Sequence, residues 1–228
     1  MDNLQRLYRV RFSDAERASK EGVWRVLCEH FFQRYVSPTD TVLDLACGYG
    51  EFTRFIRAAR KIAVDLNPEA ASFLPPGAEF HLASAADLSP IASNTVDVCF
   101  SSNFFEHLPS KDVLDRVLQE ALRVLKPGGL YVAMQPNLRY APGEYWDYYD
   151  HVIPLTHLSC SEAFAKAGFE VTELIDRFVP FSTSSRLPQS PWLVRCYLAF
   201  PLVWRLLGRQ FVIVGRKPVT GKRPGVPG

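Results

Sequence analysis

The residues with the clearest chemical potential form a glycine turn after a short apolar run. Gly48 and Gly50 permit a tight turn that a ligand can approach closely, and Asp44 places a carboxylate just before it. Thr53 stands where a dinucleotide-binding turn has its third glycine, and Glu51 would repel a phosphate at the start of the next helix. The pattern therefore predicts a site for a cationic ligand. A tight turn without a ligand, with Asp44 as a capping acid, is the alternative.

A second group of such residues lies in the loop of residues 140–157, which interleaves aromatic rings with acids and two histidines. Flat rings beside acidic acceptors suit a hydroxylated organic molecule such as a sugar or a polyketide. We therefore expect a substrate to bind Tyr140, Tyr145, Trp146 and Tyr149. The alternative is a lid whose rings pack on the core and exclude water.

Three histidines are candidates for removing a proton from that substrate, because imidazole titrates near neutral pH. His151 ranks first because it follows Asp150 inside the aromatic loop. His107 ranks second and His157 third, and each could instead be a capping or packing residue. Catalysis by proximity alone would need none of them. No ligand spacing typical of a metal site is present in the sequence, so no metal is expected.

Alternating β-rich and helical patterns predict the scaffold that positions these residues. They indicate a mostly parallel sheet with helices on both faces, and ligands bind such sheets beyond the carboxyl ends of the strands. A clear helix carries apolar residues from Val113 to Leu125 and should stop at Lys126–Gly129, and another ends at Gly168. Strands are predicted at residues 41–45, 61–65, 79–83, 96–101, 130–135, 169–177 and 210–216.

Five motifs in residues 38–178 resemble, in order, those of the class I S-adenosylmethionine (SAM) dependent methyltransferases, especially the small-molecule branch. They are the glycine turn at 43–50, the strand ending in an acid at 62–65, the pair at 86–87, the stretch 96–108, and the turn 125–129 before a strand. The resemblance implies an α/β, Rossmann-like sheet of seven strands with an antiparallel last strand. A helical cap over residues 1–40 is expected beside it.

The resemblance also implies SAM as cofactor, held by residues at the strand ends. The glycine turn would hold its methionine part, the acid after the second strand its ribose hydroxyls, and the acid of the third motif its adenine. That last acid could instead be a solvated turn former. The expected cofactor-binding residues are Asp44, Ala46, Gly48, Gly50, Asp65, Leu66, Ala86, Asp87 and Asn103.

The implied function is transfer of the SAM methyl group to a small molecule. A hydroxyl group of a glycan, a lipid-linked or a secondary-metabolite intermediate is favoured, while nitrogen and carbon acceptors stay open. A non-catalytic SAM-binding partner subunit is one rival. An NAD-dependent oxidoreductase is another, disfavoured by Thr53 and by the position of Asp44.

Composition limits the other possibilities. The 228 residues carry a net charge of +2 without a basic cluster, which argues against nucleic-acid binding. Five scattered cysteines and the lack of an apolar leader favour a reduced, cytoplasmic protein. One domain is expected over residues 1–217, as a monomer or homodimer, with a flexible tail at 218–228.

A helical insertion is expected at residues 178–209. Its residues 191–207 are apolar on nearly every side, yet Arg195, Arg205 and Pro201 argue against a membrane-spanning helix. The segment must therefore be buried somewhere. It could pack within the monomer, or it could meet a partner chain, a lipid-linked acceptor or a membrane surface.

Overall fold

A central sheet organises the computed structural model, which describes residues 14–180 and 190–219. Its strands are β1 (Thr41–Leu45), β2 (Arg60–Asp65), β3 (Glu79–Leu82), β4 (Val96–Ser102), β5 (Leu125–Pro136), β6 (Glu170–Ile175) and β7 (Gln210–Arg216). In the described part of the chain the order is β3-β2-β1-β4-β5-β7-β6. Strand β7 is antiparallel to both neighbours, and the other adjacent pairs are parallel. The predicted seven-stranded Rossmann-like sheet is confirmed.

The helices begin and end close to the residues that the sequence indicates. They are α1 (Asp14–His30), α2 (Glu51–Phe55), α3 (Lys111–Val124), α4 (His157–Ala167), α5 (Pro191–Ala199) and α6 (Pro201–Leu207), with short 3-10 turns at 32–35, 68–73, 105–107 and 144–147. Helix α4 ends at Gly168, whose φ of 102° suits glycine. Helix α3 ends before the predicted stop, because β5 already begins at Leu125 and pairs there with Val96.

Apolar side chains cover both faces of the sheet and form two large clusters and one small one. Strand β1 shows the alternation, since Val42 belongs to one cluster whereas Leu43 and Leu45 belong to the other. The cluster that contains Leu43 includes residues of α3 and α4, and the cluster that contains Val42 includes residues of α1. Helices therefore lie on both faces, as predicted, and leave the carboxyl ends of the strands at one edge.

The segment at 178–209 contains two consecutive helices, α5 and α6, of which α5 packs beside α1. Among the described side chains of these two helices only Trp204 is buried, at 9% exposed, so packing within the chain covers one side of the pair. That a partner chain or a lipid covers the other side stays a prediction. In the ranges described, the structure has no helix long and apolar enough to cross a membrane. Residues 1–13 of the predicted helical cap, 181–189 of the predicted insertion and 220–228 of the predicted tail lie outside these ranges.

Candidate functional site

Asp44 lies at the end of β1 and is 4% exposed. Its Oδ2 accepts a hydrogen bond from the Thr53 hydroxyl over 2.7 Å. Burial raises the pKa of the Asp44 carboxyl to about 7; the Thr53 hydroxyl opposes that rise, and the negative charge of Glu51 adds to it. Sequence reasoning treated Thr53 only as a missing glycine, so its role as the partner of Asp44 was missed. The available signal was a hydroxyl residue in the first turn of the helix that follows the acid, α2.

The turn after Asp44 holds its backbone in an unusual conformation. Ala46, Gly48 and Gly50 have φ values of 54°, 53° and 68°, in the left-handed region that alanine rarely adopts. A side-chain carbon at position 48 would meet no other described atom within 4 Å, whereas one at position 50 would lie 2.7 Å from Leu74. The backbone at Gly48 is therefore open to a ligand, and Gly50 supplies close packing.

Asp65 ties this turn to the end of β2. Its Oδ2 accepts from the Gly48 N–H and its Oδ1 from the Asn67 N–H, each over 2.8 Å. A carboxylate has about four acceptor positions, so each oxygen can accept a further hydrogen bond. Asp65 is 8% exposed, and the next residue, Leu66, is 65% exposed. The free acceptor positions of this carboxylate match the two hydroxyl groups of a diol.

The third candidate group, Ala86 and Asp87, follows β3. The Ala83 N–H donates to the Asp65 carbonyl oxygen over 3.2 Å, which holds the ends of β2 and β3 together. Asp87 Oδ1 accepts from the Ser89 N–H over 3.2 Å, so this acid closes a turn, as the alternative reading of the sequence expected. Its other carboxyl oxygen can still accept from a ligand.

Asn103 directly follows β4, the other neighbour of β1 in the sheet. It is exposed and has a φ of 47°, and its N–H donates to the Met134 carbonyl oxygen over 3.0 Å. Asparagine adopts this left-handed region more readily than most non-glycine residues, and Asn94 does so too. The ends of β2, β1 and β4 therefore bring Asp65, the glycine turn and Asn103 to one edge of the sheet.

Two of the three predicted histidines meet near the end of β4. The ring centroids of His107 and His151 are 4.8 Å apart. His107 Nδ1 lies 3.1 Å from Asp150 Oδ2, and its Nε2 lies 3.8 Å from Glu106 Oε1. The Glu106 carbonyl oxygen accepts from two N–H groups of the residues that follow His151, which fixes the aromatic loop against this turn.

Glu106 is a member of this cluster that sequence reasoning missed. Its side chain is buried, and neither carboxyl oxygen finds a hydrogen-bond partner within the described residues. Burial raises the pKa of the Glu106 carboxyl to about 8, and the nearby Asp150 adds to the rise. One donor atom each of Glu106, His107 and His151 fits within 4.8 Å, a set that could hold a metal ion although the sequence predicted none. The same three side chains could instead accept a proton from a substrate.

His157 lies in a different network, as the first residue of α4. Its Nδ1 is 2.9 Å from the side-chain nitrogen of Asn137, and its ring stacks on Tyr140. Burial lowers the pKa of His157, which keeps the ring neutral. Tyr140 is half-buried and its hydroxyl donates to Asp176 Oδ2 over 3.0 Å. These contacts match the packing role that the sequence left open for His157.

The aromatic loop turns its rings in opposite directions. Tyr145 is fully buried, and its hydroxyl donates to the Ile153 carbonyl oxygen and accepts from the Leu155 N–H. Trp146 and Tyr149 are 51% and 97% exposed. The loop thus combines the lid arrangement, through Tyr145, with a free aromatic surface.

Comparison with known proteins identifies relatives for the middle of the chain. Residues 43–133 match the family model described as a methyltransferase domain. Over 101 residues the chain is 38% identical to an uncharacterized methyltransferase of Mycobacteroides abscessus, covering 40% of this chain and 38% of the relative. Over 124 residues it is 30% identical to the malonyl-[acyl-carrier protein] O-methyltransferase of Pectobacterium atrosepticum, covering 53% and 45%. The chain spans less than half the length of these curated relatives.

Solved structures extend the similarity in fold to most of the chain. A crystal structure of a SAM-dependent methyltransferase of Thermotoga maritima superposes with a TM-score of 0.66 at 18% identity. The superposition covers 90% of this chain and 94% of that one. At this identity the likeness concerns the fold.

Proposed function

Residues 43–133 match a methyltransferase domain, and we propose that the protein is a class I SAM-dependent methyltransferase that transfers the methyl group of SAM to a small-molecule acceptor. The observation that carries the proposal is the open backbone at Gly48 between the carboxylates of Asp44 and Asp65. One carboxylate suits the ammonium group of a methionine moiety and the other suits a ribose diol. In this proposal residues 1–217 act as one domain.

Binding and orientation are the main tasks of the chain in this reaction. SAM supplies a methyl group made electrophilic by its sulfonium, so the protein has to align a nucleophile with the carbon–sulfur bond. Alignment of this kind supplies up to about 7–11 kcal/mol in well-oriented systems. Asp44, Gly48 and Asp65 would hold the cofactor, Asp87 its adenine, and Asn103 would border the reacting methyl group.

A hydroxyl acceptor of a glycan, lipid-linked or secondary-metabolite intermediate is the favoured substrate. Trp146 and Tyr149 offer exposed rings on which such a molecule can lie. His151 is the proposed general base and His107, held by Asp150, its second candidate. In this proposal His157 and Tyr145 have supporting roles, because their polar atoms are already bonded inside the loop.

Cofactor binding is tested with Asp65→Ala and Asp65→Asn. Loss of a charge-assisted hydrogen bond should weaken SAM binding by about 1.5–3 kcal/mol, or about 10- to 150-fold, in calorimetry. Asp112→Ala removes an exposed acid from the first turn of α3 and is the matched control. Unchanged SAM affinity in a folded Asp65 variant, or binding of NADH instead, would refute the assignment.

Catalysis is tested by release of S-adenosylhomocysteine with candidate acceptors. His151→Ala should lose about 10²- to 10⁴-fold in kcat together with the acidic limb of the pH profile. His81→Ala, which removes an imidazole bonded to Glu79 on β3, is the control. Activity that a chelator abolishes would favour the metal alternative at Glu106, His107 and His151. SAM binding without turnover of any acceptor would favour the non-catalytic partner subunit.

A further inference from the structure

Helices α5 and α6 present an apolar surface to solvent. Trp192, Phe200, Leu202 and Leu206 are 68%, 63%, 76% and 76% exposed, and Leu207 is 40% exposed. With Leu193, which is 39% exposed, six large apolar side chains within sixteen residues form a patch of the kind that marks an interaction surface. The two helices meet at Phe200 and Pro201, so the patch follows a bent, surface-lying pair of helices.

The exposure of this surface is not a sign of loose attachment, because the opposite side of the pair is firmly held. The Trp204 indole N–H donates to the Tyr197 carbonyl oxygen over 2.9 Å, and the Tyr197 hydroxyl donates to the Phe178 carbonyl oxygen. The Arg177 guanidinium donates to the carbonyl oxygens of Leu206 and Gly208 at the end of α6. Trp204 also lies edge-on to Phe178 in the core.

The charges of the segment are of one sign. Residues 190–209 contain three arginines and no acid. Arg195 and Arg205 are exposed among the apolar side chains, whereas Arg209 forms an ion pair with Glu144. Apolar rings and leucines interspersed with arginines are typical of helices that lie in the interface of a membrane rich in anionic lipids.

The pair is connected to the edge of the sheet that carries the candidate site. Only Gly208 and Arg209 separate α6 from β7, whose first residue Gln210 pairs with Pro136 at the carboxyl end of β5. The Asn137 N–H donates to the Arg209 carbonyl oxygen over 2.8 Å. Since Arg209 also pairs with Glu144, the helices are tied to the aromatic loop that we propose for the acceptor.

We propose that α5 and α6 dock on an anionic lipid surface and that the acceptor is a membrane-held, lipid-linked molecule. The acceptor class rests on the proposed methyl transfer, whereas the docking does not require it. The apolar side chains enter the boundary of the headgroups and acyl chains, and Arg195 and Arg205 bind lipid phosphates. A second copy of this chain on the same patch is the competing occupant.

Docking is tested by flotation of the full chain with vesicles of phosphatidylcholine, alone or with phosphatidylglycerol. The wild type should float with the anionic vesicles, and less so in high salt because phosphate contacts are screened. The double variant L202E/L206E should lose at least about tenfold in partitioning. Leu158→Glu, which changes a 52% exposed leucine on α4, should float like the wild type. The double variant R195Q/R205Q should lose the preference for anionic vesicles.

SAM calorimetry on the same variants separates this proposal from the methyltransferase proposal. Unchanged SAM affinity with lost flotation supports docking and shows that the variants are folded. A wild type that floats with neither vesicle overturns docking whatever its SAM affinity. A wild-type dimer in light scattering that L202E/L206E dissociates, without flotation, overturns it in favour of the second copy.

Discussion

Replacing Asp44 with asparagine should remove a pH dependence from the stability of the fold. In the unfolded chain the carboxyl titrates near its ordinary value of 3.8, whereas burial raises its pKa to about 7 in the folded protein. Between these values the folded state holds a proton that the unfolded state has released. The free energy of unfolding therefore falls as the pH rises towards 7 and levels off above it.

The size of the effect follows from the two pKa values. Their gap of about three pH units corresponds to roughly 4 kcal/mol, of which about 2–3 kcal/mol falls between pH 5 and pH 8. Denaturant unfolding of the wild type and Asp44→Asn across this range measures it. As the pH is raised from 5 to 8, the free energy of unfolding of the variant minus that of the wild type should rise by about 2–3 kcal/mol. The pKa of Glu106 is raised in the same direction, but Glu106 is present in both proteins, so its contribution to the difference cancels.

Two results would contradict this reasoning. Parallel stability curves for the wild type and Asp44→Asn would mean that Asp44 keeps its ordinary pKa despite its burial. Thr53→Val removes the hydrogen bond that opposes the rise, so its inflection should move to higher pH. A shift of that inflection to lower pH would show that the Thr53 hydroxyl does not stabilise the ionised form.

Two further predictions concern stability alone. Gly215→Ala should lower the free energy of unfolding by about 1–3 kcal/mol, because the Cβ of the alanine would lie 2.6 Å from the Phe164 ring. Gly143→Ala is the control and should change the free energy of unfolding little, because a Cβ there would meet no atom within 4 Å. Thr156→Ala should cost about 1 kcal/mol in denaturant unfolding, since its side chain caps α4, whereas Ser190→Ala removes a hydroxyl that makes no cap bond to α5. Equal effects within either pair would contradict its reasoning.

The sheet and the glycine turn could be predicted from the sequence because their signals are local. Alternating apolar runs, a helical face from Val113 onward and the stop at Gly168 each depend on neighbouring residues. The motif ending at Gly50 and the acid at Asp65 follow predicted strands, and parallel strands bring their carboxyl ends to one edge. Errors at element ends, such as the early start of β5 at Leu125, arose where pairing with a distant strand decided the boundary.

Only the tertiary structure decided which polar groups meet and which apolar groups remain exposed. Thr53 became the partner of Asp44, and His151 met Glu106 and His107, because burial and side-chain direction depend on the packing of the whole chain. The sequence likewise showed that α5 and α6 are apolar, but it could not show which of their side chains face the core and which face solvent. Trp204, Val194, Tyr197 and Leu198 make the core contacts of the pair from its other side, which leaves Leu202 and its neighbours facing solvent.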